Sequence, residues 1–283
     1  MKKSTNSLAK RGLEDFLANR LAVAGAGVLI IMLVLCIGAP LFTACDPSYC
    51  DVSQASLPMS AEHPLGTDRL GRDLFARLLY GGRISIFIGL ASAVGASALG
   101  VLLGCVSAWF GKLLDRALLY VSELFSSFPQ MLLVLLCVGL MGQSVANIIW
   151  VFILTGWSGV YRIVRSRILS LKEEPFVECC VANGLSGFSI MFRQLLPNAI
   201  GPVIVHTTLA TAGFILAEAG LSFLGMGAPS DLPTWGNIIN AAKRIDVIVS
   251  SPVLWIAPGL AISFFVLGIN FLGDGLRDVF DPA

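Results

Sequence analysis

Charged side chains are scarce in this sequence. Its 18 acidic and 19 basic residues make up 13% of 283 and leave a net charge of +1, which gives no reason to expect a nucleic-acid partner. Histidine is scarcer still, with only His63 and His206. No HExxH zinc signature occurs, and a single histidine makes a poor metal site without partners. A phosphate-cradling loop is also missing: Gly104 to Lys112 has the wrong glycine spacing, and Leu113 stands where a serine or threonine is needed. Gly184-Leu-Ser186-Gly187 is not a nucleophile elbow, and no histidine lies near it in sequence to activate the serine. The sequence therefore predicts no catalytic residue, no metal ligand and no enzyme.

What fills the chain instead is apolar. Hydrophobic residues reach 56% and the mean hydropathy is +0.82, more apolar surface than a soluble domain of this length can bury. The natural class is an all-α polytopic membrane protein. The 29 glycines suit spans that pack closely, because small residues let helix backbones approach where no hydrophobic force drives them together. Six spans of adequate length can be read, at residues 21–42, 84–110, 120–140, 145–160, 200–224 and 253–272. Pro129 and Gly142 interrupt the third and the approach to the fourth.

The distribution of lysine and arginine sets the expected orientation. With the N-terminus inside, the inner segments carry thirteen basic residues, among them Arg162, Arg165, Arg167, Lys172 and Arg193, and the outer segments carry six. The chain is accordingly divided into a cytoplasmic arm at 1–20, a first span at 21–42 and an extracytoplasmic loop at 43–83. A core of five spans at 84–272 and a cytoplasmic tail at 273–283 follow. Leu41-Phe-Thr-Ala-Cys45 loosely resembles a lipoprotein cleavage box, but the run before it is span-length and five more spans follow.

The outer loop contains His63-Pro-Leu-Gly-Thr-Asp-Arg-Leu-Gly-Arg-Asp73, where Gly66 and Gly71 permit tight backbone and Asp68 and Asp73 can cap turns or pair with Arg69 and Arg72. Two readings stand. The segment is either a plug of capped turns leading into a helix, or a docking surface or pore mouth in which His63, Asp68, Arg72 and Asp73 take part. Cys45 and Cys50 also fall in this loop, where a disulfide could persist, and two free thiols are the alternative. Cys36, Cys105 and Cys137 lie within spans and read as small packing residues. Cys179 and Cys180 face the expected reducing side and lack the partners a zinc site needs.

Between the fourth and fifth spans lies a polar segment. Glu173-Glu174-Pro175 reads as a helix start, with carboxylates at the positive end of the dipole and proline in the first turn. Val177, Cys180 and Val181 recur at helical spacing, and Asn183-Gly184 supplies a stop. Phe188, Met191, Phe192 and Leu195 then mark a second short helix, which Pro197 is expected to end. Two such helices are too small to bury both stripes. Some of that surface is expected to meet the spans, and some a groove on another protein.

This segment, with its spacing Glu178-x5-Gly184-x12-Pro197, resembles the EAA coupling loop of ABC importer permeases, with Cys179 and Cys180 where the family usually has two alanines. His63 to Asp73, Phe128-Pro129, Glu218-Ala-Gly-Leu-Ser-Phe-Leu-Gly225, Trp235-Gly236 and Asn270 to Asp278 resemble the peptide/nickel subfamily, so the likeness covers the chain from about residue 21 onward. The resemblance implies a type I permease fold in a bacterial inner membrane, a second similar permease, two ATPase subunits that hold ATP and Mg, and an extracytoplasmic substrate-binding protein. It implies that residues 172–199 contact an ATPase cleft, with Glu178 and Arg193 as polar contacts, Gly184 as the turn, and Phe188 and Phe192 on the apolar knob.

Glu218, near the outer end of the fifth span, has two readings. It lines a vestibule as a gate, or it caps a short segment starting near Gly220. A self-contained secondary transporter or channel is the alternative to the ABC reading; inverted repeats and paired ionisable residues across spans would support it, and six spans with few buried charges fit it poorly. The substrate stays open among peptides, nickel or metal chelates, and other small solutes.

Overall fold

A computed structural model of the chain describes Glu14 and residues 16–280; most of the expected 1–20 arm lies outside them. Among the described residues the protein is helical, and the only strand-like pairing is an isolated bridge between Thr67 and Asp73. The main helices are α1 (Arg20–Ile37), α2 (Leu74–Phe110), α3 (Lys112–Ser127), α4 (Gln130–Met141), α5 (Val145–Gly156) and α6 (Ser158–Lys172). They are followed by α7 (Pro175–Ala182), α8 (Leu196–Phe223), α9 (Trp235–Ala241), α10 (Ile245–Ser250) and α11 (Val253–Phe280). Five helical runs are long and apolar enough to cross a membrane, or six if the bent pair α3 and α4 counts as one span.

Local chemistry explains where the boundaries fall. Asn19 caps α1 by accepting from the N–H groups of Leu21 and Ala22. Its amide nitrogen donates to Asp278 at 2.8 Å, which fastens the start of α1 to the end of α11. The second span begins at Leu74, not at residue 84, because Asp73 accepts from the Ala76 N–H at 2.6 Å and nucleates the helix there. The third expected span, 120–140, is not one helix. α3 and α4 meet at 91°, since Pro129 offers no N–H and holds Phe128 in extended backbone. The fourth continues past 160 to Lys172 through a soft junction at Trp157, and the sixth continues past 272 to Phe280.

By alternation, one end of the bundle carries residues 43–73 and 224–252. The opposite end carries the elbow between α6 and α8. Call these the loop end and the elbow end. α2 is the central helix, packed by α5, α6 and α8, and α1 lies along α11. Glycine sets the closeness of these seams. A Cβ at Gly100 would stand 2.7 Å from the carbonyl oxygen of Trp157, and one at Gly104 would stand 2.9 Å from the Cβ of Val164. This Gly-x3-Gly pair brings α2 into backbone contact with α6. Facing outward are large apolar side chains such as Ile30, Phe87, Leu90, Leu132 and Leu136, all more than half exposed. In water such a surface would drive aggregation, whereas hydrocarbon solvates it.

Candidate functional site

The elbow is built from its anchors outward. α6 ends at Lys172, whose Nζ donates to the Ala108 carbonyl at 3.0 Å and stands over the Trp109 ring. Trp109 also receives Gly187, where a Cβ would come within 2.5 Å of the indole. Deeper, Arg165 grips Asp115 with two bonds of 2.5 and 2.6 Å, and Asp115 accepts in turn from Ser107. That bidentate pair ties the start of α3 to α6 beside the elbow. Asp115, Ser107 and Trp109 carry no sequence signature, and their role comes from proximity alone.

α7 starts with Pro175 in its first turn and stops at Gly184, whose φ is +74°. The Leu185 N–H reaches back to Cys180 O at 3.2 Å and the Gly184 N–H to Val181 O at 2.9 Å. Those two bonds are the Schellman pattern of a glycine-terminated helix, and Asn183 adds a side-chain bond to Cys179 O. Replacing Gly184 by alanine meets no neighbour within 4 Å, so the expected loss is backbone strain alone, about 1–2 kcal/mol. Thermal unfolding of the purified chain would read this as a small downward shift, with the helical content of the intact protein unchanged.

Pro197 does not end the second helix. It lies in the first turn of α8, which follows directly from a short turn at Gly187–Ile190 and a π-turn at Met191–Leu195. The Leu196 N–H bonds Met191 O, five residues back, and this wider turn accommodates a proline that has no N–H of its own.

The two apolar stripes divide by burial. Val177, Ile190, Met191 and Leu195 pack against Cys105, Val160, Val164 and Ile168 of the spans. Val181, Leu185, Phe188 and Phe192 are exposed. Phe188 is 71% exposed, with its ring centroid 4.5 Å from that of Phe192. Glu178, Cys179, Arg193 and Pro197 are exposed on the same elbow, and Cys180 is half-buried.

The loop end is a folded plug. Asp68 accepts from the N–H groups of Leu70 and Arg72 and pairs with the Arg72 guanidinium at 2.7 Å. Gly71 has φ +72°, and a Cβ there would collide with the Asp51 carbonyl at 1.7 Å. Arg69 pairs with Asp246 and joins the plug to the second loop. Arg77, almost fully buried, donates to Pro47 O at 3.1 Å. Asp68, Arg72 and Asp73 are thus buried and locally bonded rather than presented as a docking or pore surface. His63 Nδ1 lies 2.8 Å from Asp73 Oδ2, and its Nε2 lies 3.2 Å from Gln54 Oε1.

Cys45 and Cys50 are separate thiols in this structure. The Cys50 thiol donates to Ser48 O, and Cys45 lies beside His63 and Asp73. The sulfur of Cys45, a ring nitrogen of His63 and a carboxylate oxygen of Asp73 are all within 4.8 Å of one another. The members of this cluster come together only through the folding of the loop.

Glu218 matches neither of its expected roles. It is fully buried within α8, so it faces no vestibule even in the isolated chain and caps no helix start. Its carboxylate accepts from Ser222 at 2.7 Å and from Ser85 at 3.4 Å, and Ser85 accepts from the Trp235 N–H at 3.1 Å. His206 lines a cavity of about 340 Å³ with Gln130, Ser158 and Arg162, beside the break between α3 and α4.

An all-helical bundle with a broken span, a plugged loop end and an anchored amphipathic elbow defines a multi-span membrane transport subunit. Residues 100–283 match the family described as the binding-protein-dependent transport system inner membrane component, and residues 7–59 match the N-terminal transmembrane domain of oligopeptide transport permease C. The chain belongs to the first of these, the inner membrane permeases of binding-protein-dependent transport systems. It is 35% identical to the oligopeptide transport system permease protein OppC of Bacillus subtilis, over 99% of this chain and 91% of that one. It is likewise 35% identical to the dipeptide transport system permease protein DppC of Alkalihalophilus pseudofirmus, over 93% and 86%. A solved inward-facing form of the MetNI methionine ABC transporter shares the fold at TM-score 0.58 and 18% identity, over 72% of this chain and 96% of that one.

Proposed function

We propose that this chain is a non-catalytic permease subunit of an ATP-driven importer that takes up peptides across a bacterial inner membrane. Relatives named for oligopeptide and dipeptide transport support the substrate class. In this reading a second permease completes the translocation path, and two ATPase subunits supply ATP, Mg and the chemistry. A substrate-binding protein delivers cargo at the loop end, outside, and both termini lie in the cytoplasm. The excess of lysine and arginine in the elbow-end segments supports that orientation.

One observation carries the coupling role: Phe188 and Phe192 stand exposed on an elbow whose other face is fixed to the spans. An aromatic pair held on a rigid support suits insertion into an apolar groove, because little side-chain freedom is lost on docking. Glu178 and Arg193, exposed on the same elbow, would serve as polar rim contacts.

Replacing Phe188 by aspartate tests this. Truncation of an aromatic anchor typically removes 2 kcal/mol or more, about 30-fold in affinity. The variant is expected to insert and fold normally, yet to co-purify poorly with the ATPases and to lose most peptide uptake. Undiminished co-purification and uptake would exclude the elbow as the docking element.

A further inference from the structure

We propose that Cys45, His63 and Asp73 form a binding site for a zinc-like divalent transition-metal ion, which clamps the loop-end plug between α1 and α2. The three donors arrive from separate places. Cys45 follows the turn at Ala39–Phe42 that extends α1, His63 sits in the middle of the loop, and Asp73 is the cap residue of α2. Thiolate, imidazole and carboxylate together are the donor set of zinc and its first-row neighbours, and calcium or magnesium would call for oxygen alone.

The geometry is close to what a tetrahedral ion needs. Bonds of about 2.0–2.3 Å place neighbouring donors roughly 3.3–3.8 Å apart. The donors here lie within 4.8 Å of one another, and His63 Nδ1 and Asp73 Oδ2 are 2.8 Å apart. Closure therefore needs an inward shift of about 1 Å for the farthest donor and a slight opening of the His–Asp pair.

The groups behind the donors are already set. Nε2 of His63 faces Gln54 Oε1, so a proton on Nε2 leaves the Nδ1 lone pair directed at Asp73, and the ion takes the place of the proton that otherwise bridges them. The second Asp73 oxygen is held by the Ala76 N–H, and the Cys45 N–H bonds Thr43 Oγ1 at 3.1 Å. A ligating histidine whose other nitrogen donates to a carbonyl oxygen is the usual outer-shell arrangement of metal sites. The cluster is also sheltered: the His63 side chain is 12% exposed and that of Asp73 3%. Three protein donors leave a fourth position for water.

The test is anaerobic titration of the full-length chain, purified in detergent and stripped of metal, with Co²⁺ as the spectroscopic probe and Zn²⁺ as competitor. The expected result is one equivalent of Co²⁺ with thiolate-to-cobalt charge-transfer absorption, displaced by Zn²⁺ and missing from Cys45→Ser. Cys50→Ser should titrate like wild type, and Gln54→Leu should bind about 10–100-fold more weakly. Because only the backbone of Cys45 makes structural bonds, Cys45→Ser is expected to fold, and its thermal unfolding without metal should match wild type. Identical titrations of wild type and Cys45→Ser would overturn the site, and so would a Cys45–Cys50 disulfide in protein isolated without reductant. Either result would leave the permease reading untouched.

Discussion

Gly100→Leu is expected to abolish recovery of folded protein. A Cβ at this position would lie 2.7 Å from Trp157 O, 2.8 Å from Val160 Cβ and 2.9 Å from Tyr161 N. Two of those atoms are backbone, so no side-chain rotation relieves the collision, and α2 must move away from α6. Added methylenes in a packed core typically destabilise by about 1–3 kcal/mol where side chains can adjust. Separation of two backbones also forfeits dispersion along the whole seam, including Gly104 against Val164. Size-exclusion chromatography of detergent extracts should show the variant aggregated or absent. Gly27→Leu is the matched control: nothing lies within 4 Å of a Cβ there, and its elution and melting temperature should match wild type. Equal behaviour of the two variants would disprove the close-packed seam.

That seam illustrates what the sequence made legible. Glycine abundance pointed to close helix packing, but not to which glycine faces which carbonyl. The number and order of the spans followed from apolar runs, because 20 apolar residues in a row have few alternatives to a membrane helix. Their ends did not. Asp73 could be read as a cap before a helix leading into the span, and the bond to the Ala76 N–H fixes that start at Leu74, ten residues before the apolar run at 84. Pro129 was visible as an interruption, but the size of the bend it allows, 91°, was not.

The elbow was legible in part for the same reason. Gly184 ends a helix through local bonds, and local bonds leave a local signature. Pro197 misled because proline ends a helix it follows but also opens one, and the π-turn before it decides which. Phe188, Met191, Phe192 and Leu195 share helical spacing, yet two face the spans and two face away. Periodicity identifies an apolar side without naming what covers it. Cys45, His63 and Asp73 converge only through the folded loop, so their spacing in sequence carries no metal signature.

Glu218→Leu is expected to cause a large loss of stability, and comparison with Glu218→Gln shows why the carboxylate is there. Glu218 is fully buried and accepts from Ser222 and Ser85, and Ser85 accepts from the Trp235 N–H. The chain of bonds therefore joins α8, α2 and the first residue of α9. Trp235 fixes that corner from its other side by donating its indole N–H to Leu78 O at 3.0 Å. Leucine removes the acceptor and strands the buried hydroxyls of Ser222, Ser85 and Thr234, each at about 1–3 kcal/mol, in a site that water does not reach. Glutamine keeps an oxygen for Ser222 and turns its amide toward Ser85, giving up about one hydrogen bond, roughly 1 kcal/mol. A carboxylate required for its hydrogen-bond geometry should thus tolerate glutamine and not leucine. Melting temperature and peptide uptake should both follow the order wild type, Gln, Leu, with Gln near wild type. If Gln and Leu instead lost uptake equally while both stayed folded, the charge of Glu218 would be acting on transport itself, and its place as the structural link between α8, α2 and α9 would no longer account for its burial.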